Sequence, residues 1–422
     1  MRTEQEWDVI VIGGGPAGLA SAISAHDAGA RVCVIEREER PGGILKQCIH
    51  DGFGLVRFKE KLTGPEYASR YVEMARERNI PVFLNSFLTE ISRRDGAYHL
   101  ALVNKKEGVF YSRATAVIMA MGCRERTSRQ IFIHGSRPAG VLTAGLAQYF
   151  INIQGLMPVK KCVILGSGDI GLIMARRLTL EGAVVEGVYE LQKEPSGLTR
   201  NIVQCLEDFN IPLHLGTTVT QVHGEKRVEG VTVAAVDEKF RPIAGTERYI
   251  DCDSLILSVG LIPENDILDP LDVAMDGKTK GPVVDHTMMT MRDGIFSCGN
   301  ALHVNDLVDY VSESGEIAGR RAAAYARDGL LERKLVPVGH RGHVMYTVPQ
   351  FIDTSSTHDA ILYFRSSKTF TDARLRIMAG DVELVTKKYR IVKPPEMERV
   401  VLKMEDIPKD AREITVELRE EQ

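Results

Sequence analysis

The sequence predicts an α/β chain of two parallel-sheet domains, closed by a smaller all-β domain. Three observations predict it. An apolar strand, a glycine turn, a helix-period stretch and a second apolar strand occur in that order twice, from Asp8 and again from Cys162. A β-like stretch follows each copy, at 82–112 and at 213–250. From about residue 333 the long helical patterns stop, and short alternating runs such as Ile414-Thr415-Val416-Glu417-Leu418 take over.

The first copy reads DVIVIGGGPAGLASAISAHDAGARVCVIERE. Its continuous apolar strands fit a parallel sheet covered on both faces. Gly13, Gly15 and Gly18 form G-x-G-x-x-G directly after the first strand. The first glycine permits the tight turn, the second lets backbone approach a pyrophosphate, and the third lets the helix pack on the strand. The helix opens at Pro16 and Ala17, and its unpaired N–H groups face the phosphates. Glu36 closes the second strand, placed to accept both hydroxyls of an adenosine ribose; Arg37 follows it.

The second copy reads CVILGSGDIGLIMARRLTLEGAVVEGVYE. Gly166, Gly168 and Gly171 repeat the glycine spacing around Asp169 and Ile170, and Glu190 ends its second strand. Glu190 repels a 2′-phosphate and bonds a free 2′-hydroxyl, which favours NAD over NADP. Lys193 and Arg200 are near enough in sequence to keep NADP open. A Gly-Ala turn recurs too, as Gly29-Ala30 and Gly182-Ala183. Two dinucleotide sites in one chain gain a purpose from redox chemistry: one holds a fixed flavin, the other presents a nicotinamide to it.

Composition narrows the classes. Lys and Arg number 53 against 57 Asp and Glu, a net charge of −4, so no basic excess is present for nucleic acid. No apolar run reaches the ~18 residues of a membrane span. The start, MRTEQEWDVIVIGG, lacks signal-peptide features, and a cytoplasmic protein is expected. The seven cysteines are scattered singly and no C-x-x-C occurs, which excludes a thioredoxin-type dithiol and a self-contained cysteine cluster. No metal site is expected: His340 and His343 are three apart but lie in non-helical sequence without further ligands.

These motifs together resemble the two-dinucleotide-binding-domain flavoproteins, the pyridine-nucleotide-dependent oxidoreductases, over about residues 6–327. Gly13 to Gly18 with Glu36 resembles that family's FAD fingerprint. Pro41-Gly42-Gly43 resembles its second flavin turn, and Met121-Gly122 its strand end before the NAD domain. Gly294 to Asn300 resembles its G-x-x-x-x-G-D motif, with Gly299 in place but Asn300 where an acid usually contacts the flavin ribityl chain. An amide can still donate to and accept from a hydroxyl. The resemblance implies two Rossmann-like domains binding FAD and NAD(H). With the change to short alternating runs near 333, the domains expected are an FAD domain over 1–128 and 262–332, an NAD(P) domain over 129–261, and a C-terminal sandwich-like β-domain over 333–422.

A narrower resemblance rests on Met121-Gly122-Cys123-Arg124-Glu125-Arg126 and on Pro138 to Gly145. These resemble the flavin subunits of opine oxidases, hydrogen cyanide synthase and dye-linked proline dehydrogenases. GNALHVNDLVDYVSESGEIAG and the β-rich tail are similar to a bacterial flavoprotein encoded beside FAD-dependent glycerol-3-phosphate dehydrogenase. That resemblance implies an electron-transfer subunit between a substrate-oxidising flavoprotein and NAD. A stand-alone NADH oxidase or small-molecule reductase, and a flavin-bound interaction protein with vestigial redox, are the alternatives.

No residue is expected as an acid–base catalyst, because hydride transfer to a flavin needs none. Cys48 reads as a pocket-lining thiol or a sulfenic-acid former. Lys46 and His50 read as cations near the flavin or as solvated loop, and His303, Asp306 and Asp309 as flavin-lining or helix-capping groups. The tail carries no visible chemistry and reads as a docking surface for a second flavoprotein or for self-association.

Overall fold

The computed structural model describes residues 4–329 and 332–421. The chain forms two compact units. One comprises residues up to Cys123 and from Pro263 onward; the other is Arg124–Ile262. Among the described residues no helix is long and apolar enough to cross a membrane.

Helices are labelled in chain order: α1 Pro16–Asp27, α2 Gly64–Glu77, α3 Ala144–Asn152, α4 Asp169–Leu180, α5 Thr199–Cys205 and α6 Val308–Asp328. In the first unit, five parallel strands run in the order Val82–Phe83, Val32–Ile35, Gln5–Ile12, Gly108–Met119, Ile295–Ser297. In the second, five more run Leu213–His214, Val184–Tyr189, Lys161–Leu165, Ser254–Leu257, Val141–Thr143. The two orders are the same. They differ only in that the last strand comes from late in the chain in the first unit and from before the repeat in the second.

The predicted antiparallel insertions are present, built differently. In the first unit Ser86–Arg94 pairs with Ala97–Asn104, which pairs with Gly108–Met119, one strand long enough to join the antiparallel strands to the parallel ones in a single seven-stranded sheet. The apolar stretch that ends at Met119 is therefore the end of a longer strand. In the second unit the matching strand is broken into Arg248–Asp251 and Ser254–Leu257. Asp253 at the break turns its carboxylate onto the N–H groups of Lys160 and Lys161, each at 3.2 Å.

The tail is all β. A five-stranded and a three-stranded sheet share one apolar core that includes Leu362, Phe364, Leu375, Ile377 and Val416. It belongs to the same compact unit as the first glycine turn. Val348 joins that unit's main core, and the guanidinium of Arg399 meets Glu313 of α6 at 2.7 and 2.9 Å.

Candidate functional site

Three turns meet at the C-terminal ends of the first unit's parallel strands. Gly13 lies at φ +104, and a Cβ there would also stand 2.4 Å from the Ala120 carbonyl oxygen, so both backbone angle and space require glycine. Gly18 lets α1 close on the Gly13 carbonyl. Pro16 is the first residue of α1, where its missing N–H costs nothing. The second turn docks on the first: Gly42 N donates to Gly14 O at 2.8 Å, and a Cβ on Gly43 would lie 3.0 Å from Gly15 Cα. The third turn packs on the same helix, since a Cβ on Gly299 would come 2.7 Å from Ala17 Cβ. Helix α6 closes the arrangement. Its Gly315 and Gly319 sit against the carbonyls of Ala17 and Ser21, four residues apart on both helices.

Glu36 is 5% exposed at the end of its strand. Its Oε2 accepts Gly14 N at 2.7 Å and its Oε1 accepts Glu38 N at 2.8 Å. A carboxylate offers about four lone-pair sites, so two remain for a ribose diol. Around Gly15 nothing stands within 4 Å of an added Cβ except Gly43 Cα at 3.8 Å, which leaves a cradle of bare backbone at the helix N-terminus. Asn300 works with both ends of its amide: Oδ1 accepts Asn305 N at 3.0 Å, and Nδ2 donates to Cys123 Sγ at 3.7 Å. Beside it, Asn305 Oδ1 is buried without a hydrogen-bond partner among the described residues. These features fit the AMP half, pyrophosphate and polyhydroxyl chain of FAD.

The second unit repeats the pattern. Gly166 lies at φ +100, pressed on the Ser258 carbonyl, and Gly168 is open, with only Ser258 Oγ at 3.8 Å. Gly171 packs α4 on the strand, and Ile170 is half-buried on that helix. Glu190, 6% exposed, accepts Ser167 N and Gln192 N, both at 2.9 Å, as Glu36 accepts Gly14 N and Glu38 N. Asp169, the first residue of α4, turns away from the glycine turn. Its Oδ1 takes Leu198 N at 2.9 Å and Asn201 Nδ2 at 2.6 Å.

Other candidates fall into structural places. Arg37 reaches Glu264 at 3.2 Å, and Glu264 N donates to the carbonyl of Gly122, which holds φ +75 at its strand end. Lys46 bonds Glu38 and the Arg40 carbonyl. His50 leans on Phe53 with ring centroids 4.9 Å apart. Desolvation pushes the Cys48 thiol up to about 12 and Cys298 likewise, so both are protonated near neutral pH. All seven cysteines stand outside any disulfide. Helix α6 begins at Val308, so its first-turn acid is Asp309 and not Asp306. Asp309 anchors a loop by accepting Arg57 N at 2.7 Å and Gly54 N at 3.3 Å, whereas Asp306 pairs with Arg365 of the tail. His303 is buried among tail aromatics, and desolvation, reinforced by the Arg365 charge, drives its pKa down to about 3.

The sequence reading missed how Glu125 is used. Its Oε1 accepts Gly145 N at 2.8 Å, and Thr143 Oγ1 accepts Leu146 N, so the two capture the N-terminus of α3. A Cβ on Gly145 would stand 2.6 Å from Glu125 Oε2. The Glu and the Gly are thus one device, and only their pairing as E-R…T-A-G hinted at it.

Comparisons agree with this geometry. Residues 7–322 match the family model for pyridine nucleotide-disulphide oxidoreductases. The chain is 25% identical over 420 residues to an opine oxidase subunit from Agrobacterium tumefaciens, covering 95% of this chain and 77% of that one. It is 27% identical over 279 residues to hydrogen cyanide synthase subunit HcnB of Pseudomonas protegens, covering 61% of this chain and 57% of that one. The fold of T. acidophilum thioredoxin reductase superposes with a TM-score of 0.61 at 20% identity, its whole length matching 77% of this chain.

Proposed function

The chain belongs to the pyridine nucleotide-disulphide oxidoreductase family, an FAD- and NAD(P)H-dependent oxidoreductase, and from that premise we propose that it passes hydride between NAD(H) and FAD as an electron-transfer subunit. The observation that carries this is the doubled carboxylate: Glu36 and Glu190 bridge their glycine turns through matching backbone bonds. FAD, when bound, supplies an isoalloxazine that accepts or returns a hydride at N5.

The chain's own residues bind and orient. Gly15 and the N-terminus of α1 would hold the pyrophosphate, and Glu36 the adenosine ribose. Asn300 would serve the ribityl hydroxyls as donor and acceptor. Helix α6 opens at Val308 with Tyr310 N and Val311 N bonded to Leu307 O, and Asp309 in its first turn fixes the neighbouring loop through Arg57 N. Gly168 and the N-terminus of α4 would hold the second pyrophosphate. Glu190 disfavours a 2′-phosphate by like charge and favours NAD(H).

The sequence has no C-x-x-C, and the Cys48 thiol is held protonated, so electrons enter or leave the flavin through an external partner and not through a protein dithiol. Both curated relatives above are named as subunits. By its resemblance, the partner here is a substrate-oxidising flavoprotein such as glycerol-3-phosphate dehydrogenase. Anaerobic titration of the FAD-loaded protein tests the first step. NADH should bleach the flavin band at near-stoichiometric amounts, with NADPH much less effective. A flavin that neither coenzyme bleaches would falsify the reading. Slow oxygen consumption beside fast reduction of an artificial acceptor distinguishes an electron-transfer component from a free-standing oxidase.

A further inference from the structure

The two closing carboxylates differ in one respect. Glu36 carries one donor on each oxygen, Gly14 N on Oε2 and Glu38 N on Oε1. Each oxygen keeps one lone pair, which is what two adjacent ribose hydroxyls require. Glu190 repeats both backbone bonds, with Ser167 N on Oε2 and Gln192 N on Oε1. Its Oε2 then accepts two hydroxyls more, Ser167 Oγ at 2.5 Å and Ser196 Oγ at 2.9 Å. Ser167 N and either hydroxyl are enough to occupy both lone pairs of Oε2, so only Oε1 keeps one open.

Ser196 is delivered to that place by a loop fastened across the second glycine turn. Ser196 N donates to Ser167 Oγ at 2.9 Å. Leu198 N and Asn201 Nδ2 both end on Asp169 Oδ1. Between them Gly197 is pressed so closely that a Cβ would stand 2.6 Å from Leu172 Cδ1 and 2.7 Å from the Ser167 carbonyl. The first unit has no counterpart, for no side-chain hydroxyl reaches Glu36 among the described residues.

We propose that the Ser167 and Ser196 hydroxyls weaken the hold of Glu190 on a ribose, so that the second dinucleotide exchanges while the first stays resident. The ribose must compete with both hydroxyls for Oε2, and it is held by one full charge-assisted bond where Glu36 offers two. The ligand class affected is an adenosine ribose with both hydroxyls free. A 2′-phosphate carries no proton to donate at that position and gains nothing from a cleared Oε2.

The inference rests on the second turn taking NAD(H), and the test separates the two claims. ADP-ribose and 2′-phospho-ADP-ribose are titrated calorimetrically into the FAD-loaded protein and its variants. Ser167→Ala combined with Ser196→Ala removes both hydroxyls and leaves Oε2 with the Ser167 N–H alone, as Oε2 of Glu36 has only Gly14 N. It should tighten ADP-ribose by roughly three- to tenfold, the worth of one hydrogen bond, and leave the 2′-phospho ligand within about twofold. Ser196→Thr keeps the hydroxyl and should bind as the parent does. Unchanged or weaker ADP-ribose binding by the double Ala variant overturns the proposal. So does a Thr variant that tightens as much as the double Ala variant, since the loop and not the hydroxyls would then set affinity. Glu190→Gln in the parent checks the premise. If it leaves ADP-ribose binding untouched, the second turn is not the coenzyme site and both claims fall. If it weakens binding while the double Ala variant does not tighten it, only the role of the two hydroxyls falls.

Discussion

At the scale of single residues, position was legible in the sequence and hydrogen-bond occupancy was not. The spacing from glycine turn to acid places Glu36 and Glu190 at corresponding strand ends, because a βαβ unit fixes the distance along the chain. That Glu190 is also bonded by Ser196 depends on a loop folding back, which no local pattern encodes. The same reason left Lys46 open between a flavin-side cation and a solvated loop; its ammonium bonds Glu38 and the Arg40 carbonyl. Glu190→Arg should erode or invert the NADH preference, since it removes the like charge against a 2′-phosphate and supplies a guanidinium that pairs with one. The ratio of NADH to NADPH dissociation constants should shift in NADPH's favour by at least about tenfold, or ~1.4 kcal/mol. Cys48 offers a second check. With its pKa pushed to about 12, its thiolate fraction at pH 8 is about one in ten thousand. Iodoacetamide at pH 8 should therefore spare Cys48 in the folded protein and label it after denaturation, as read by peptide mapping. Rapid labelling of the native form would show an activated thiol and reopen the sulfenic-acid reading.

At the scale of elements, both helix–strand units were legible because their periodicities are local, whereas the contacts that lock helices together were not. Gly315 lies inside α6, and nothing in the local sequence marks it out. Its use is to bring α6 onto the Ala17 carbonyl, with Gly319 on Ser21 one turn later, a contact that joins distant stretches of chain. Gly319→Val would drive a branched side chain into backbone, which cannot give as a side-chain tip can. The cost of such overpacking is about 1–3 kcal/mol or more, and the variant should lose FAD on gel filtration that the parent retains. Glu125 and Gly145 make the corresponding pair in the second unit. Gly145→Ala forces the carboxylate off the N-terminus of α3. It should lower stability by about 1 kcal/mol, the usual worth of a lost cap. Glu125→Ala should cost a similar amount, and the double variant little more than either single, because the two changes break one bond. Additive losses would show that the two residues act separately.

At the scale of the whole molecule, the tail was legible as β structure from its alternation, but its attachment was not. Beyond Val348 in the core, Tyr363 OH donates to Glu313 of α6 at 2.5 Å, Arg365 and Met397 N hold Asp306, and Arg333 meets the buried Asp285 at 3.1 Å. A tail that served only for docking could be removed near Leu335 without loss of FAD. The structure changes that expectation: removal strips the partners from Glu313 and Asp306 and bares the flank of α6, which packs on the helix of the first glycine turn, so the shortened chain should melt lower and hold FAD poorly. The same junction sets an acid response. His303 is 2% exposed, faces Tyr346 and Tyr363 of the tail, and has Arg365 as its charged neighbour. Burial and that charge hold its pKa near 3 in the folded chain, while in the unfolded chain it titrates near 6.5. Between those values the unfolded state binds the extra proton, so stability rises with pH there. The contribution is complete above about pH 6.5 and is lost on acidification, at up to about 1.4 kcal/mol per pH unit, until the folded form also protonates near 3. His286, also neutralised by burial near the base of the tail, acts in the same direction. Carboxylates add their own acid dependence, so the comparison must be between variants. His303→Gln cannot gain the proton in either state, and its denaturation midpoint should fall less steeply than the parent's between pH 6.5 and 4.5. The difference in slope is the reading, independent of any constant loss from changed packing. Parallel curves would mean that His303 reaches solvent before the chain unfolds, and that the tail lifts off α6 in the native state.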